Sequence, residues 1–188
     1  IILYKKINSW KKMKKTMNTN LNSNINDKFD KFWFLYKSSS KNKFIQSRTS
    51  GWLNWHFKEK MNNGKAWIFT VEKKNEIVGY AICVEQNNED IDLKRISLVD
   101  LVAIGDEPNI YISLLKECAV ETKKRGYHVF EVIGFEEKKR EIFSNFNILS
   151  RKLPNFPFYY KVKNEKYENL LKLNQSWDPS LIDGDSFL

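Results

Sequence analysis

The chain has 188 residues, with 32 Lys and Arg against 23 Asp and Glu, a net charge of +9. A hydrophobic fraction of 41% and an aromatic fraction of 14%, with only 7 Gly and 4 Pro, suit one folded domain with an extension and exclude a disordered chain or a loop-rich all-β protein. The lysines are spread along the chain and form no single stripe, so the charge reads as compositional bias rather than as a nucleic-acid surface.

Residues 1 to 10, IILYKKINSW, read as a short strand ending in a turn. Residues 11 to 27, KKMKKTMNTNLNSNIND, are basic and then Asn-rich, which predicts a short basic helix and a linker. Residues 1–26 are therefore set apart from a compact domain over 27–188. DKFDKFWFLYK places Phe29, Phe32, Trp33 and Tyr36 at helical spacing behind an N-cap at Asp27. After a loop, RTSGWLNWHFKEKMNN predicts a second helix over 49–60, stopped by Asn63-Gly64.

A strand series follows. AWIFTVEKK (66–74) and NEIVGYAICVEQ (75–86) form a hairpin turning at Asn75-Glu76, and IDLKRISLVDLVAIG (91–105) is a long strand with room for a bulge. Asp106-Glu107-Pro108 opens a helix that stops at Gly126, with Ile112, Leu115, Ala119 and Thr122 on one face. YHVFEVIGF (127–135) is a strand, EEKKREIFSNFNI (136–148) a helix capped by Asn147, and FPFYYKVK (156–163) a strand. NEKYENLLKLNQ is a short helix before the tail WDPSLIDGDSFL. The order predicts an α/β fold of the α+β type, with a mixed, mostly antiparallel central sheet and helices on both faces.

Cys83 and Cys118 lie on separate elements without C-x-x-C spacing, so no disulfide framework and no metal site is expected, and a reducing cytoplasm is the default. No apolar run approaches the ~18 residues of a membrane span, and no signal peptide is visible. The chain begins with Ile, so an upstream domain of a longer protein is expected.

The element order is similar to the GNAT acyltransferase fold. GKAWIFTVEKKNEIVGYAICVE resembles that family's paired strands, and REIFSNFNI its "A-x-x-x-Y-x-x-x-G-F" segment, with Phe143 at the Tyr position and Asn147 at the Gly position. RTSGWLNWHF resembles an "R-x-x-x-[YF]-L-x-W-R" element and the tail a "W…GD[SG]D" ending. Together they resemble a divergent GNAT-like group found with surface-polysaccharide genes, in which this chain is the C-terminal of two halves.

The resemblance implies acetyl-CoA or another acyl-CoA as cofactor and a small-molecule acceptor such as an amino sugar. It assigns cofactor binding to Val102, Ala103, Ile104 and Gly105 at the end of the long strand, and to Asn109, Ile110 and Tyr111 at the start of the helix. There the pyrophosphate would sit on backbone N–H groups favoured by the helix dipole. GDEPNIYIS departs from the family's glycine-rich loop. Asp106 and Glu107 bring negative charge where phosphate would arrive, and Pro108 removes a donor. Phe143 has no proton for a leaving thiolate. Tyr159 and Tyr160 are the nearby phenols, and Asp100 and Glu85 the candidate bases.

Arg48, Trp55, His56, Trp177, Asp183 and Asp185 are expected around the acceptor cleft, with Arg48 pairing the tail aspartates and Trp177 and Phe187 packing the tail. Two functions follow from the resemblance. One is an acyl-CoA-dependent N-acyltransferase. The other is a non-catalytic GNAT-like half with a structural or ligand-binding role. Nucleic-acid binding through the basic N-terminal segment is a weaker third reading.

Overall fold

The computed structural model describes residues 2–3, 17–144, 146, 150, 152 and 159–183. Its six strands lie in the order β1-β6-β5-β4-β3-β2. They are β1 (Ile2–Leu3), β2 (Thr19–Asn22), β3 (Ala66–Lys73), β4 (Glu76–Glu85), β5 (Arg95–Ala103) and β6 (Val129–Val132). Helices α1 (Lys28–Ser39), α2 (Ser50–Asn62), α3 (Pro108–Lys124), α4 (Glu137–Ser144) and α5 (Glu168–Leu171) complete the described elements, with short 3-10 turns between them. Every strand pair is antiparallel except β5–β6, which is parallel and joined by α3. The mixed, mostly antiparallel α/β sheet expected from the sequence is the one observed.

Each face of the sheet carries its own core. On one, Phe69, Ala81, Cys83, Leu98 and Leu101 meet Tyr111, Leu114, Cys118 and Phe143 from α3 and α4. On the other, Ile68, Tyr80, Ile82, Val99 and Val102 meet Phe29, Phe32, Tyr36, Leu53 and Phe57 from α1 and α2. The strands read as near-continuous apolar runs because both faces are covered. The apolar spacing of α1 puts Phe29, Phe32 and Tyr36 on its buried side. The start of α2 is fixed twice, by the Thr49 hydroxyl accepting from Trp52 N and by Asp30 accepting from Ser50 N at 2.8 Å.

Several expectations need correction. Thr19–Asn22 is an edge strand paired with β3, not linker, so the sheet begins ahead of residue 27. The hairpin turns at Lys74-Asn75, both at positive φ, which is the geometry that matches strand twist. The long strand starts at Arg95, because Glu89–Ile91 forms a 3-10 turn. Asp27 holds the N-cap position of α1 without a side-chain bond. The buried face of α3 is centred on Tyr111, Leu115, Cys118 and Thr122, while Ile112 is only half-buried. Residues 159–163 are not in a strand, and the N-terminal basic helix, residues 156–158 of the expected strand and the Asn147 cap lie outside the described residues.

One close approach limits substitution. Gly79 in β4 stands opposite Ala103, where a Cβ would collide with Ile110 of α3 and lie 3.1 Å from the Val102 carbonyl oxygen. Gly79→Ala is expected to lower stability by about 1–3 kcal/mol, as overpacking does, measured by chemical denaturation.

Candidate functional site

Strands β5 and β6 are paired only from Arg95↔Val129 to Leu98↔Val132. β5 runs on to Ala103, so its last five residues have no strand partner on the β6 side among the described residues. The register with β4 also slips here. Ile82 pairs with Asp100 and Cys83 with Leu98, leaving Val99 as the extra residue of a bulge. A bulge bends a strand and re-aims its side chains. Here it accompanies an opening between β5 and β6 and sets Asp100 toward the α1–α2 face, where Tyr80 and Arg48 meet it.

Asp100 is 1% exposed and Arg48 2% exposed. Arg48 holds both carboxylate oxygens, Nε to Oδ2 at 2.9 Å and Nη2 to Oδ1 at 3.2 Å, and the Tyr80 hydroxyl donates to Oδ2 at 2.7 Å. The guanidinium also donates to the Gln46 carbonyl and, at 3.2 Å, to Ser180 Oγ of the tail. Its Nη2 lies 3.6 Å from Asp183 Oδ2. Asp183 Oδ2 accepts from Ser180 N at 2.7 Å, while its buried Oδ1 has no partner among the described residues. Burial pushes the Asp183 carboxyl above its ordinary range. Arg48 opposes that shift and Asp100 adds to it.

A second buried group lies at the same opening. Lys139 of α4 donates to Asp178 Oδ1 at 2.7 Å, and the Tyr36 hydroxyl of α1 donates to Oδ2. Lys139 and Asp178 are each 2% exposed in their side chains. Burial alone would raise the Asp178 carboxyl. The charge and hydrogen bond of Lys139 and the bond from Tyr36 outweigh it and hold the group below its ordinary value. The Tyr36 phenol is pushed well up by burial and by Asp178 beside it. α1 covers one face of the sheet and α4 packs on the other, so one carboxylate can touch both only where the strands have parted.

The rim of the opening is tied by Lys43, which reaches Asp106 at 3.1 Å and Glu136 at 3.0 Å. Burial works against the Lys43 ammonium, but Glu136, Asp178 and Asp106 hold its pKa above the ordinary value. Asp106 also accepts from the Tyr111 hydroxyl at 2.7 Å, and Glu107 pairs with Lys73 at 3.0 Å. Both acids before α3 are thus matched by a lysine.

The structure brings Arg48, Asp100 and Asp183 into one cluster. Of the residues assigned to the cofactor, Val102, Ala103, Ile110 and Tyr111 are buried, Ile104 is half-buried, and Gly105, at φ +71°, and Asn109 are exposed. Asp100 has its carboxylate bonded to Arg48 and Tyr80, which leaves no approach for a proton from an acceptor. Glu85, at the far end of β4 from the opening, accepts from the Tyr127 hydroxyl, whose pKa is raised to about 12 by burial and by that contact. Tyr159 is 86% exposed, whereas Tyr160 packs on Trp177 at 5.8 Å between ring centroids. Trp177 also packs on Phe44 at 5.0 Å.

Trp55 is 73% exposed, and His56 stacks between it and Trp52 at 4.4 and 3.9 Å. Among the described contacts neither meets the Arg48 cluster. Asp185 and Phe187 lie outside the described residues. Phe143 is buried edge-on against Phe135. Sequence reasoning missed Asp178, Lys139, Tyr36 and Lys43. Asp178 stood in a turn signal, Lys139 in a run of charges, and Tyr36 on an apolar helix face, so only their meeting in space distinguishes them.

Among the described residues no three His, Cys, Asp or Glu are grouped to hold a metal, and no helix is long and apolar enough to cross a membrane. No family model matches the chain, and no curated protein matches it by sequence. Solved structures do match. A predicted acetyltransferase of Clostridium acetobutylicum, solved with acetyl-CoA, superposes with a TM-score of 0.57 at 13% identity, over 76% of this chain and 96% of that one. Glucosamine-6-phosphate N-acetyltransferase of Arabidopsis thaliana gives 0.55 at 11% identity, over 77% and 99%. An aminoglycoside acetyltransferase from an uncultured soil metagenomic sample, in complex with trehalose, gives 0.55 at 15%, over 78% and 96%. The fold is that of the GNAT acetyltransferases. At these identities the likeness concerns the fold alone.

Removing one partner of a buried ion pair strands the other charge. Arg48→Met is therefore expected to cost about 3–5 kcal/mol in chemical denaturation. Asp183→Asn, at a carboxylate that is already poorly satisfied, should stay within about 1 kcal/mol of the parent at pH 7. The Asp178 carboxyl is depressed on folding, so its contribution is fully present above the ordinary Asp range, about pH 4. It is lost as pH falls through the depressed folded value. Asp178→Asn should flatten that acid limb of the stability profile, read as denaturation midpoint against pH.

Proposed function

We propose that this chain is an acyl-CoA-dependent N-acyltransferase domain. The observation that carries the reading is the parted pair β5–β6. The unpartnered backbone of Val99–Ala103 faces an opening whose end is set by Gly105 at positive φ and by the start of a 17-residue helix, in a fold shared with acetyltransferases. Backbone groups left without a strand need partners, and an extended thioester arm would supply them. The frame fits such an arm. The acids before α3 weaken the fit of a pyrophosphate at that helix, since Asp106 and Glu107 would repel it and Pro108 offers no N–H.

Acyl-CoA supplies an activated acyl thioester. This chain supplies orientation through the β5 backbone and, at Tyr160, a phenol beside the opening segment with a hydroxyl that can hold a proton. Glu85, at the far end of β4 from the opening, is assigned to holding Tyr127, and Asp100 to holding Arg48. An amino sugar or polysaccharide precursor is the acceptor this reading favours. Its support is the likeness of the tail and the Arg48 element to GNAT-like proteins of surface-polysaccharide genes. An origin as the cytoplasmic C-terminal half of a longer protein belongs to the same reading.

A second reading, a non-catalytic half that supports or presents a ligand, is favoured by Phe143 in place of a phenol and by the acids at Asp106 and Glu107. Titration calorimetry with acetyl-CoA separates the two. Saturable binding, weakened when acetyl-pantetheine replaces acetyl-CoA, is expected of the transferase. No heat at millimolar acetyl-CoA, with the parent chain and with Asp178→Asn alike, overturns it.

A further inference from the structure

The segment Trp177–Asp183 fills the opening that an acyl-CoA arm would enter. Ile182 is buried against Val99 and Val102 of β5, and a Cβ on Gly134, just past β6, would lie 3.7 Å from Leu181. Asp178 reaches through to Lys139 on one side and Tyr36 on the other. Yet the segment is not a strand of the sheet. Its described backbone bonds run to Phe44, to Asn174 in the turn before it and within itself, and none of those described is made to Val99–Ala103. Its apolar anchorage is one buried side chain, Ile182, helped by the half-buried Leu181 and Trp177. Its far end keeps a buried carboxylate oxygen without a partner among the described residues.

Beside the packing of Trp177 on Phe44 and Tyr160 and its indole bond to the Leu171 carbonyl, an anion in a cationic socket holds the segment. Lys139 is buried with Asp178 as its ion-pair partner at 2.7 Å, the Tyr36 hydroxyl donates to the same carboxylate, and the positive charge of Lys43 acts on it as well. Lys43 also bridges the two lips of the opening through Asp106 and Glu136. With Asp178 withdrawn, a buried ammonium and a phenol donor would face the opening without their anion, while Lys43 keeps Asp106 and Glu136. Such a set demands a replacement anion, because an unpaired buried charge is strongly disfavoured.

We propose that Trp177–Asp183 is a displaceable strap, and that Lys139 and Tyr36, with Lys43 at the rim, form the phosphate-binding socket of this chain, occupied in the closed state by the Asp178 carboxylate. The proposal rests on the acyl-CoA reading and relocates its anion site from the α3 N-terminus to the α4 side of the opening. There the Lys139 ammonium and the Tyr36 hydroxyl would meet a phosphate, and the acids at the rim, Asp106 and Glu136, are each held by Lys43. Arg48 keeps its two bonds to Asp100 when the strap lifts and gives up only Ser180 and the longer contact to Asp183. The sheet and the Arg48–Asp100 pair are therefore not unmade by opening, which breaks the bond from Asp178 N to the Phe44 carbonyl and the packing of Trp177 on Phe44.

The test combines calorimetry and hydrogen exchange on the full chain. Asp178→Asn keeps the shape of the strap and removes its charge. It is expected to bind acetyl-CoA at least tenfold more tightly than the parent, with no comparable gain for acetyl-pantetheine, which lacks the phosphates. Lys139→Met on the Asp178→Asn background should abolish the gain. In the parent, acetyl-CoA should speed amide exchange across 177–183 while slowing it at 99–103. A parent that binds acetyl-CoA with the strap amides unchanged or more protected overturns the strap and leaves the transferase reading standing. So does a folded Asp178→Asn that binds no more tightly. Failure of every form to bind acetyl-CoA overturns both. If Asp178→Asn does not fold, the exchange measurement on the parent decides alone.

Discussion

The buried pair of Arg48 and Asp100 is the constraint on which the other pieces rest. A carboxylate in the middle of a covered sheet is unfavourable unless its oxygens are matched. The bulge at Val99 gives it the angle to meet a guanidinium fork and a tyrosine hydroxyl together. Bidentate pairing then fixes the orientation of Arg48. Its third nitrogen, Nη1, then donates to the Gln46 carbonyl, and Nη2 donates to the Ser180 hydroxyl as well as to Asp100. One residue therefore ties the loop before α2, the end of β5 and the C-terminal segment into a single cluster. Replacing the pair by apolar residues could leave the domain equally stable, so what it contributes is the alignment of three chain segments.

The second ion pair has a different character. Lys139 and Asp178 come from parts of the chain that share no sheet register, and they meet where the sheet has opened. Ring faces lie near the ammonium, with Lys139 Nζ 5.6 Å from the Tyr111 ring and 5.8 Å from that of Phe135. Cation–π attraction adds to the ion pair but cannot replace the anion. A contact dominated by charge is replaceable by another anion in a way that an interlocked apolar contact is not. The closed opening is thus compatible with a binding role in the same place.

Much of the fold was legible because its signals are local. Apolar runs bounded by turn residues gave β3, β4, β5 and β6, and Pro108 with Gly126 bracketed α3. Errors fell where tertiary pairing decides. Thr19–Asn22 has the composition of a linker and becomes a strand only because the edge of β3 is there to pair with it. The site was less legible. Arg48 and Asp183 are 135 positions apart, yet the local peculiarity of an aspartate inside SLVDLVAIG and an ordered, aromatic tail pointed to them. Trp55 and His56 looked equally distinctive and lie on the outward side of α2. Lys139 could not be told from its neighbours in EEKKRE, because burial is what sets it apart and burial is a property of the fold.

The distribution of charge around the opening explains why the usual end of such a cleft is a poor anion site here. A helix N-terminus is worth roughly half a positive charge, and Asp106 and Glu107 set two full negative charges ahead of it. Lys43 and Lys73 return that end to near neutrality, but they do so by being bound. Across the opening the balance is reversed. Lys139 is buried, and its counter-charge comes from the strap rather than from the body of the domain. Taking the strap away therefore changes the charge of the α4 side and leaves the α3 side as it was. A chain that had simply lost a cofactor site would have no need to bury a lysine against its own tail, since an apolar pair would close the gap without the desolvation penalty. Retaining a cation whose carboxylate partner, among the described residues, sits on a separately held segment is what a site for an exchangeable anion requires.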